Sequence, residues 1–294
     1  ALLQKAARVL CSEAYRTTLK QQLAAGARSF AAARQAAVQA LCPGADIAAL
    51  LDKSNNNLAV EYCKAIIELN VEMQPIALPR QGADHGQALT ESAHAAFASA
   101  SALRALWAEG GAAAMAPYVP QKALKLYKQA EYDGKYTDFA VMGHCELALL
   151  RAACTEQAPF AAVRGVSEGL EHRLENAVRE TASLPALLDA LTTVRYPRAR
   201  MRRLAMDAAL GYTAQTPALP PYLHLLGARK EALPLPGETA LPLSHSLARL
   251  ARENETCAQM AAAQSRASDL GALCRAKPEP MGGIYRQKII FLTN

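Results

Sequence analysis

Four stretches of the chain hold residue types suited to anions and heterocycles. In Lys53-Ser54-Asn55-Asn56-Asn57 each asparagine side chain offers a donor and an acceptor. Such a side chain can read a purine edge or a ribose hydroxyl, and it can equally cap a helix. Arg80 directly follows the apolar run Pro75-Ile76-Ala77-Leu78-Pro79. In open α/β sheets ligands sit beyond the carboxyl ends of strands, and a planar guanidinium there suits phosphate. In Ser99-Ala100-Ser101-Ala102-Leu103-Arg104 small hydroxyl residues open a helix. The free N–H groups of a helix start bind phosphate, and Arg104 can reach back to the same anion. A plain cap would use the same serines. Finally, Arg195, Arg198, Arg200, Arg202 and Arg203 place five arginines in nine residues. Pro197 suits a first helical turn, which makes Arg198 and Arg202 i,i+4 neighbours. Their like charges repel by about 0.2–0.5 kcal/mol unless an anion offsets them. Nucleic-acid phosphate is one such anion, and acidic side chains on a solvated face are another. Lys122, Lys125 and Lys128 form a second, weaker basic stripe.

Composition says which elements must hold these residues. The chain has 294 residues, with 32 Lys plus Arg against 26 Asp plus Glu and a net charge of +6. Hydrophobic residues make up 51%, which supports a buried core and excludes a wholly disordered chain. Alanine is abundant while aromatics are only 5%, which favours helices over a β-sandwich or barrel. No apolar run reaches the ~18 residues of a membrane span, so no membrane partner is expected. The seven cysteines form no CxxC and the six histidines no HxxxH or HExxH. That pattern reads as reduced thiols in a cytoplasmic protein without a metal site.

Residues 1–42 read as two helices, the first apolar at Leu3, Ala7, Leu10 and Ala14, the second running from about Ser29 to Leu41. A helical turn at Ile47 to Leu51, an Asn-rich loop at 53–57 and a helix from about Leu58 to Leu69 follow. Pro75 to Pro79 reads as a short buried strand, 80–87 as a polar loop and 99–109 as a helix. Helix, strand, loop, helix is the order of an α/β, Rossmann-like nucleotide-binding fold. After Gly110-Gly111 the pattern over 121–215 is helical, and 244–275 reads as one or two further helices. Leu223 to Leu226 and Ile289 to Leu292 are strand candidates. The expected division is a nucleotide-binding α/β part over 1–115 and a mainly α-helical part with a few short strands over 116–294, helix-dominated overall.

The order of these stretches carries more than any one of them. The Asn pair at 55–56, then PIALPR at 75–80, then SASALR at 99–104 resembles the HIGH-type nucleotidyltransferases, specifically the bacterial tRNA(Met) cytidine acetate ligase family. GVSEGLEHRLENA at 165–177 is similar to that family's VSEGLENRL, and TTVRYPRARMRR at 192–203 to its KRYT-x-x-R-[IL]-x-R. PPYLHLLGARKEA at 220–232 resembles its PPYxRVLGFxxxG, and RASDLGAL at 266–273 its RATDLYAL.

The resemblance implies an ATP-dependent ligase that adenylates acetate and passes the acetyl group to the wobble cytidine of elongator tRNA(Met). Its partners would be ATP, with Mg as companion ion, acetate and tRNA. The resemblance puts Asn56 (or its neighbour Asn55) and Arg80 on ATP, and Ser99, Ser101 and Arg104 near the phosphates. That Arg195, Arg198, Arg200, Arg202 and Arg203 face tRNA is an electrostatic expectation added to it. Nothing in 1–294 matches the family's HIGH-like histidine motif, so the α/β nucleotidyltransferase domain is expected to be N-terminally incomplete and the chain alone inactive. Asn57 stands where the family has an aliphatic residue, Pro197 where it has Thr, and GADHGQ where it has a GAGYHD-like segment. Two other classes of function fit the same residues: a non-catalytic helical RNA-binding protein, and a related nucleotidyltransferase using another small acid.

Overall fold

A computed structural model describes residues 1–27, 30–43, 46–78, 98–232 and 239–292, and helices dominate them. The chain divides into two compact units, Ala1–Gln81 and Gly82–Asn294.

In the first unit the apolar spacing of the opening residues makes α1 (Leu2–Cys11), which buries Ala6, Ala7 and Leu10. The helix does not continue through Ala14. Ser12 is extended, its hydroxyl donates to Val9 O and accepts from Tyr15 N, and a new helix α2 (Glu13–Ala24) starts on that cap. Residues 1–42 therefore form three helices, the third being α3 (Phe30–Leu41). A single turn, α4 (Ile47–Leu50), leads into α5 (Ser54–Glu68). Helix α5 begins before Leu58 because Asn56 Nδ2 donates to Leu50 O (3.0 Å) and Asn57 Nδ2 to Leu51 O (2.7 Å). The Asn-rich stretch is thus the first turn of a helix tied to the preceding turn, not a loop. Ala6, Ala7, Leu10, Val38, Ile47 and Val60 belong to the core of this unit, in which α1 packs against α5.

The expected strand at 75–79 is not found in its described part, and the described residues of this unit contain no strand. Residues 71–78 form no strand pairing with a described residue, with Ile76 83% and Leu78 88% exposed. An isolated strand leaves its backbone groups without partners, and the flanking prolines have no N–H to give.

The second unit opens with α6 (Ala100–Ala114) and α7 (Gln121–Asp133). Helix α6 kinks at Gly110-Gly111, where Gly111 takes φ +66°. Glu131 Oε1 on α7 accepts from the Ala112 N–H just after the kink (3.1 Å), and Trp107 packs edge-on against Tyr127. These contacts tie α6 to α7 within the second compact unit.

Four helices then enclose the main core: α8 (Phe139–Ala153), α9 (Leu170–Glu180), α10 (Leu184–Leu191) and α11 (Arg198–Ala209). Leu150, Phe160, Leu174, Leu187, Leu191 and Met201 fill it. Beyond them come β1 (Leu223–His224), β2 (Gly227–Arg229), β3 (Leu243–Ser244), α12 (Leu247–Leu250), α13 (Glu255–Leu273), α14 (Gly283–Arg286) and β4 (Ile290–Leu292). The strands form two parallel pairs, β1 with β3 (Leu223 opposite Leu243) and β2 with β4 (Gly227 opposite Ile290). Both strand candidates are present, each shorter than read and each paired with a strand the sequence pattern did not reveal.

Candidate functional site

Helix α11 turns Met201, Leu204, Ala205 and Ala208 into the core, which leaves its arginines on the outer side. Their surroundings differ. Arg195 is ion-paired with Glu168, and Arg198 with Asp189. The Arg200 guanidinium lies 5.0 Å from the Tyr196 ring centre and 3.4 Å from both Gly165 O and Ser167 Oγ. Arg202 and Arg203 make no ion pair with a described residue. The arginine run is thereby folded against the loop at 165–169, where Glu168 holds φ +56° between two positive-φ glycines, Gly165 and Gly169. Left-handed backbone at a glutamate is uncommon. Two stretches far apart in sequence, GVSEG and RYPRAR, form one surface.

Behind Arg202 lies a cavity of about 770 Å³ between α8, α10 and α11. Apolar groups such as Met142, Leu147, Leu184 and Leu188 line it, with Phe139 at its edge, 67% exposed. One carboxylate, Glu146, also lines it while only 3% exposed. That carboxylate has no hydrogen-bond partner among the described residues. Burial pushes the Glu146 carboxyl up from 4.5 to about 7, opposed only in part by the Arg202 charge. Sequence reading missed Glu146; the signal was a single acid within the apolar helical run Cys145-Glu146-Leu147-Ala148-Leu149-Leu150.

The nucleotide-site expectations fall in three places. Asn56 and Asn57 lie in the first unit, their amide nitrogens committed to backbone carbonyls. Asn57 Oδ1 is buried without a hydrogen-bond partner, beside a cavity of about 280 Å³ that Arg34, Gln35 and Asp52 also line. Arg80 lies outside the described residues. In the second unit Ser99 caps α6, accepting from Ala102 N (3.2 Å), and its hydroxyl is 2.9 Å from that of Ser101. Arg104 is exposed one turn later. The structure therefore brings Ser99 and Ser101 together. It places them on a helix that packs on α7, apart from the arginines of α11, which packs on α8 and α10.

Residues in and beside the family-like stretches hold the fold. Arg164 forms a two-pronged bond to Asp207 (3.0 and 2.8 Å) and lies over the Tyr212 ring. Asp269 Oδ1 accepts from Gly282 N (2.6 Å), and Tyr222 donates to Gln264 Oε1 (2.9 Å). Among the described residues no three His, Cys, Asp or Glu side chains converge as metal ligands would, and no helix is long and apolar enough to cross a membrane.

The HIGH Nucleotidyl Transferase family model matches residues 1–281, and the chain belongs to that family. Its relatives narrow the likeness. It is 29% identical over 186 residues to the tRNA(Met) cytidine acetate ligase of Listeria monocytogenes, covering 62% of this chain and 45% of that protein. It is 29% identical over 214 residues to the enzyme of the same name from Caldanaerobacter subterraneus, covering 71% and 51%. The chain thus spans about half the length of these relatives. The crystal structure of Thermotoga maritima TmcAL in its apo form superposes with a TM-score of 0.82 at 22% identity, over 99% of this chain and 74% of that one. A second crystal form, bound with alpha-thio ATP, gives 0.82 at 21% identity, over 99% and 73%. These two likenesses establish a shared fold, and the resemblance read from the sequence motifs points to the same family.

Proposed function

We propose that this chain supplies part of the ATP site and the tRNA-binding part of a cytoplasmic ligase that acetylates the wobble cytidine of elongator tRNA(Met). A carboxylate oxygen of acetate attacks the α-phosphorus of ATP and pyrophosphate leaves. The cytidine amino group then takes the acetyl group, and AMP leaves. Binding and orientation of the two substrates supply most of the acceleration in such a sequence. Residues 1–115 serve the nucleotide and 116–294 the RNA.

The observation that carries this reading is the extent of the family match, which runs through both units from α1 to the end of α13. Local chemistry supports it. The N–H groups of Ala100 and Ser101, at the start of the 15-residue α6, have no acceptor among the described residues, as a phosphate-binding helix end requires. By the motif resemblance, Asn56 and Arg80 are candidate nucleotide residues as well. Arg202 and Arg203 supply cationic groups that form no ion pair among the described residues.

The test measures tRNA binding by the full chain across a salt series, and acetate- and ATP-dependent formation of 4-acetylcytidine. Replacing Arg198, Arg202 and Arg203 together with Ala should weaken tRNA binding and flatten its salt dependence. Unchanged affinity and slope would refute the RNA assignment. Salt-dependent tRNA binding with no ATP binding would favour the non-catalytic RNA-binding reading. ATP turnover that another small acid supports better than acetate would favour the related transferase.

A further inference from the structure

Helix α7 carries the second basic stripe, and the proposed acyl transfer gives it no part. Two contacts fix its inner face: Tyr127 meets Trp107, and Glu131 reaches the Ala112 N–H. At 3.6 residues per turn this directs Lys122, Lys125, Gln129 and Tyr132 outward, with Lys128 at their flank. All five are exposed, Tyr132 at 79%. The three lysines form no ion pair with a described residue. The acids of the helix are engaged elsewhere. Glu131 faces inward, while Asp133 accepts from Gln129 Nε2 (2.9 Å) and lies 3.8 Å from Lys135 Nζ. The outcome is a strip of positive charge, about 15 Å from Lys122 to Tyr132, that ends in an aromatic ring. That ring is held in place. Lys277 Nζ donates to Tyr132 O (2.7 Å) and lies 5.5 Å from the ring centre. The Lys277 stem passes over Gly134, which takes φ +68° at the end of α7; a Cβ there would stand 2.5 Å from Lys277 Cγ. A cation at a helix C-terminus is favourable by itself and needs no aromatic beside it. Tyr132, so exposed, buries too little to help the core.

We propose that the outer face of α7 binds an unpaired stretch of RNA, with Lys122, Lys125 and Lys128 on its phosphates and one base stacked on Tyr132. The inference rests on the RNA-binding reading and adds to it a second surface beside the arginines of α11. Lysines alone attract any polyanion. The aromatic end of the strip selects among them. An acidic protein segment offers carboxylates but no flat ring to lay on Tyr132. A duplex offers phosphates, but its bases are already stacked on one another. Unpaired RNA offers both, and a cationic track beside an exposed aromatic is how single strands are held. No preference among bases follows, because every base has a π-face.

The experiment uses the full chain and a fluorescently labelled single-stranded RNA decamer of mixed sequence, with tRNA and an RNA duplex of the same length in parallel, across a salt series. Replacing Lys122, Lys125 and Lys128 together with Ala should lower the slope of log K against log salt for the decamer by roughly 2, the share of three single-strand phosphate contacts. Alanine at exposed helical positions keeps α7 folded. Tyr132→Ala should lower decamer affinity about tenfold at every salt concentration and leave both the slope and the duplex affinity unchanged. Tyr132→Phe keeps the ring and should retain full affinity. If tRNA binds in a salt-dependent way and Arg202→Ala with Arg203→Ala flattens its slope, while the lysine substitutions change nothing for tRNA or decamer, the α7 face is refuted and the RNA reading stands. If Tyr132→Ala changes nothing, or weakens the duplex as much as the decamer, the stacked base is refuted. If polyglutamate of matched charge displaces the decamer as well as unlabelled decamer does, the face takes an acidic protein and the proposal is overturned. If neither tRNA nor decamer binds, the RNA reading falls and the α7 face with it.

Discussion

Glu146 makes a quantitative test of the core around it. The carboxyl titrates near 4.5 in an unfolded chain and near 7 in the folded one. It therefore holds its proton more tightly when folded, by about 3 kcal/mol. The sign follows from linkage. A group whose folded pKa is raised contributes stability that is fully present below pH 4.5 and is lost as pH rises toward 7. Above that pH the folded protein carries a buried carboxylate offset in part by Arg202. Glu146→Gln keeps the shape and removes the titration. Urea unfolding of both proteins at intervals from pH 4.5 to 8.5 isolates the effect, because every other titrating group is shared. The difference in unfolding free energy should shift in favour of the variant by about 3 kcal/mol between pH 4.5 and 7.5 and then level off. Arg202→Ala should move the transition to higher pH. Parallel stability curves for the two proteins would mean that Glu146 is solvated in solution, and would refute both its burial and the cavity built on it.

Two further outcomes concern the frame. Gly111→Ala places a Cβ in left-handed backbone and against the Glu131 carboxylate, so it should cost about 2 kcal/mol, and a loss below about 0.5 kcal/mol in urea unfolding would contradict the kink. Asp207→Ala removes the two-pronged partner of Arg164, a half-exposed cation that also lies over Tyr212, so about 1 kcal/mol should be lost at low salt and less at 1 M NaCl, measured the same way.

The helices were legible in the sequence wherever a local rule decided them. The spacing of Leu3, Ala7 and Leu10 predicts a buried face, and α1 buries it. The same spacing runs on to Ala14, and only the Ser12 hydroxyl, which satisfies backbone groups on both sides, ends one helix and starts the next. The asparagines at 55–57 carry the composition of a loop. They sit in a helix because carbonyls of the preceding turn take up two of their side chains. The apolar run at 75–78 failed as a strand for the opposite reason: a strand needs a partner that no local pattern specifies. Glu146 was invisible because its burial depends on α10 and α11 closing over α8 from positions distant in sequence. The arginine cluster was plain from composition, but its pairing with Glu168 and Asp189 was not, since each acid arrives on a different element.

That pairing sharpens the RNA question. Arginines paired with acids, as Arg195 and Arg198 are, are what an ordinary solvated face would show, and exposed ion pairs are worth little in stability. The competing accounts differ in what Asp189 does. Its side chain is 70% exposed and holds Arg198. If α11 faces only solvent, Asp189→Asn changes nothing in RNA binding. If α11 faces phosphate, Asp189 competes with the RNA for Arg198, and removing its charge frees one more cation. The slope of log K against log salt should then steepen by up to roughly 0.7–0.9, the contribution of one added phosphate contact, with higher affinity at low salt. The change should vanish when Arg198→Ala is combined with it. An unchanged slope in Asp189→Asn, alongside a flattened slope in Arg202→Ala and Arg203→Ala, would confine the RNA contact to the cavity end of the helix and exclude Arg198 from it.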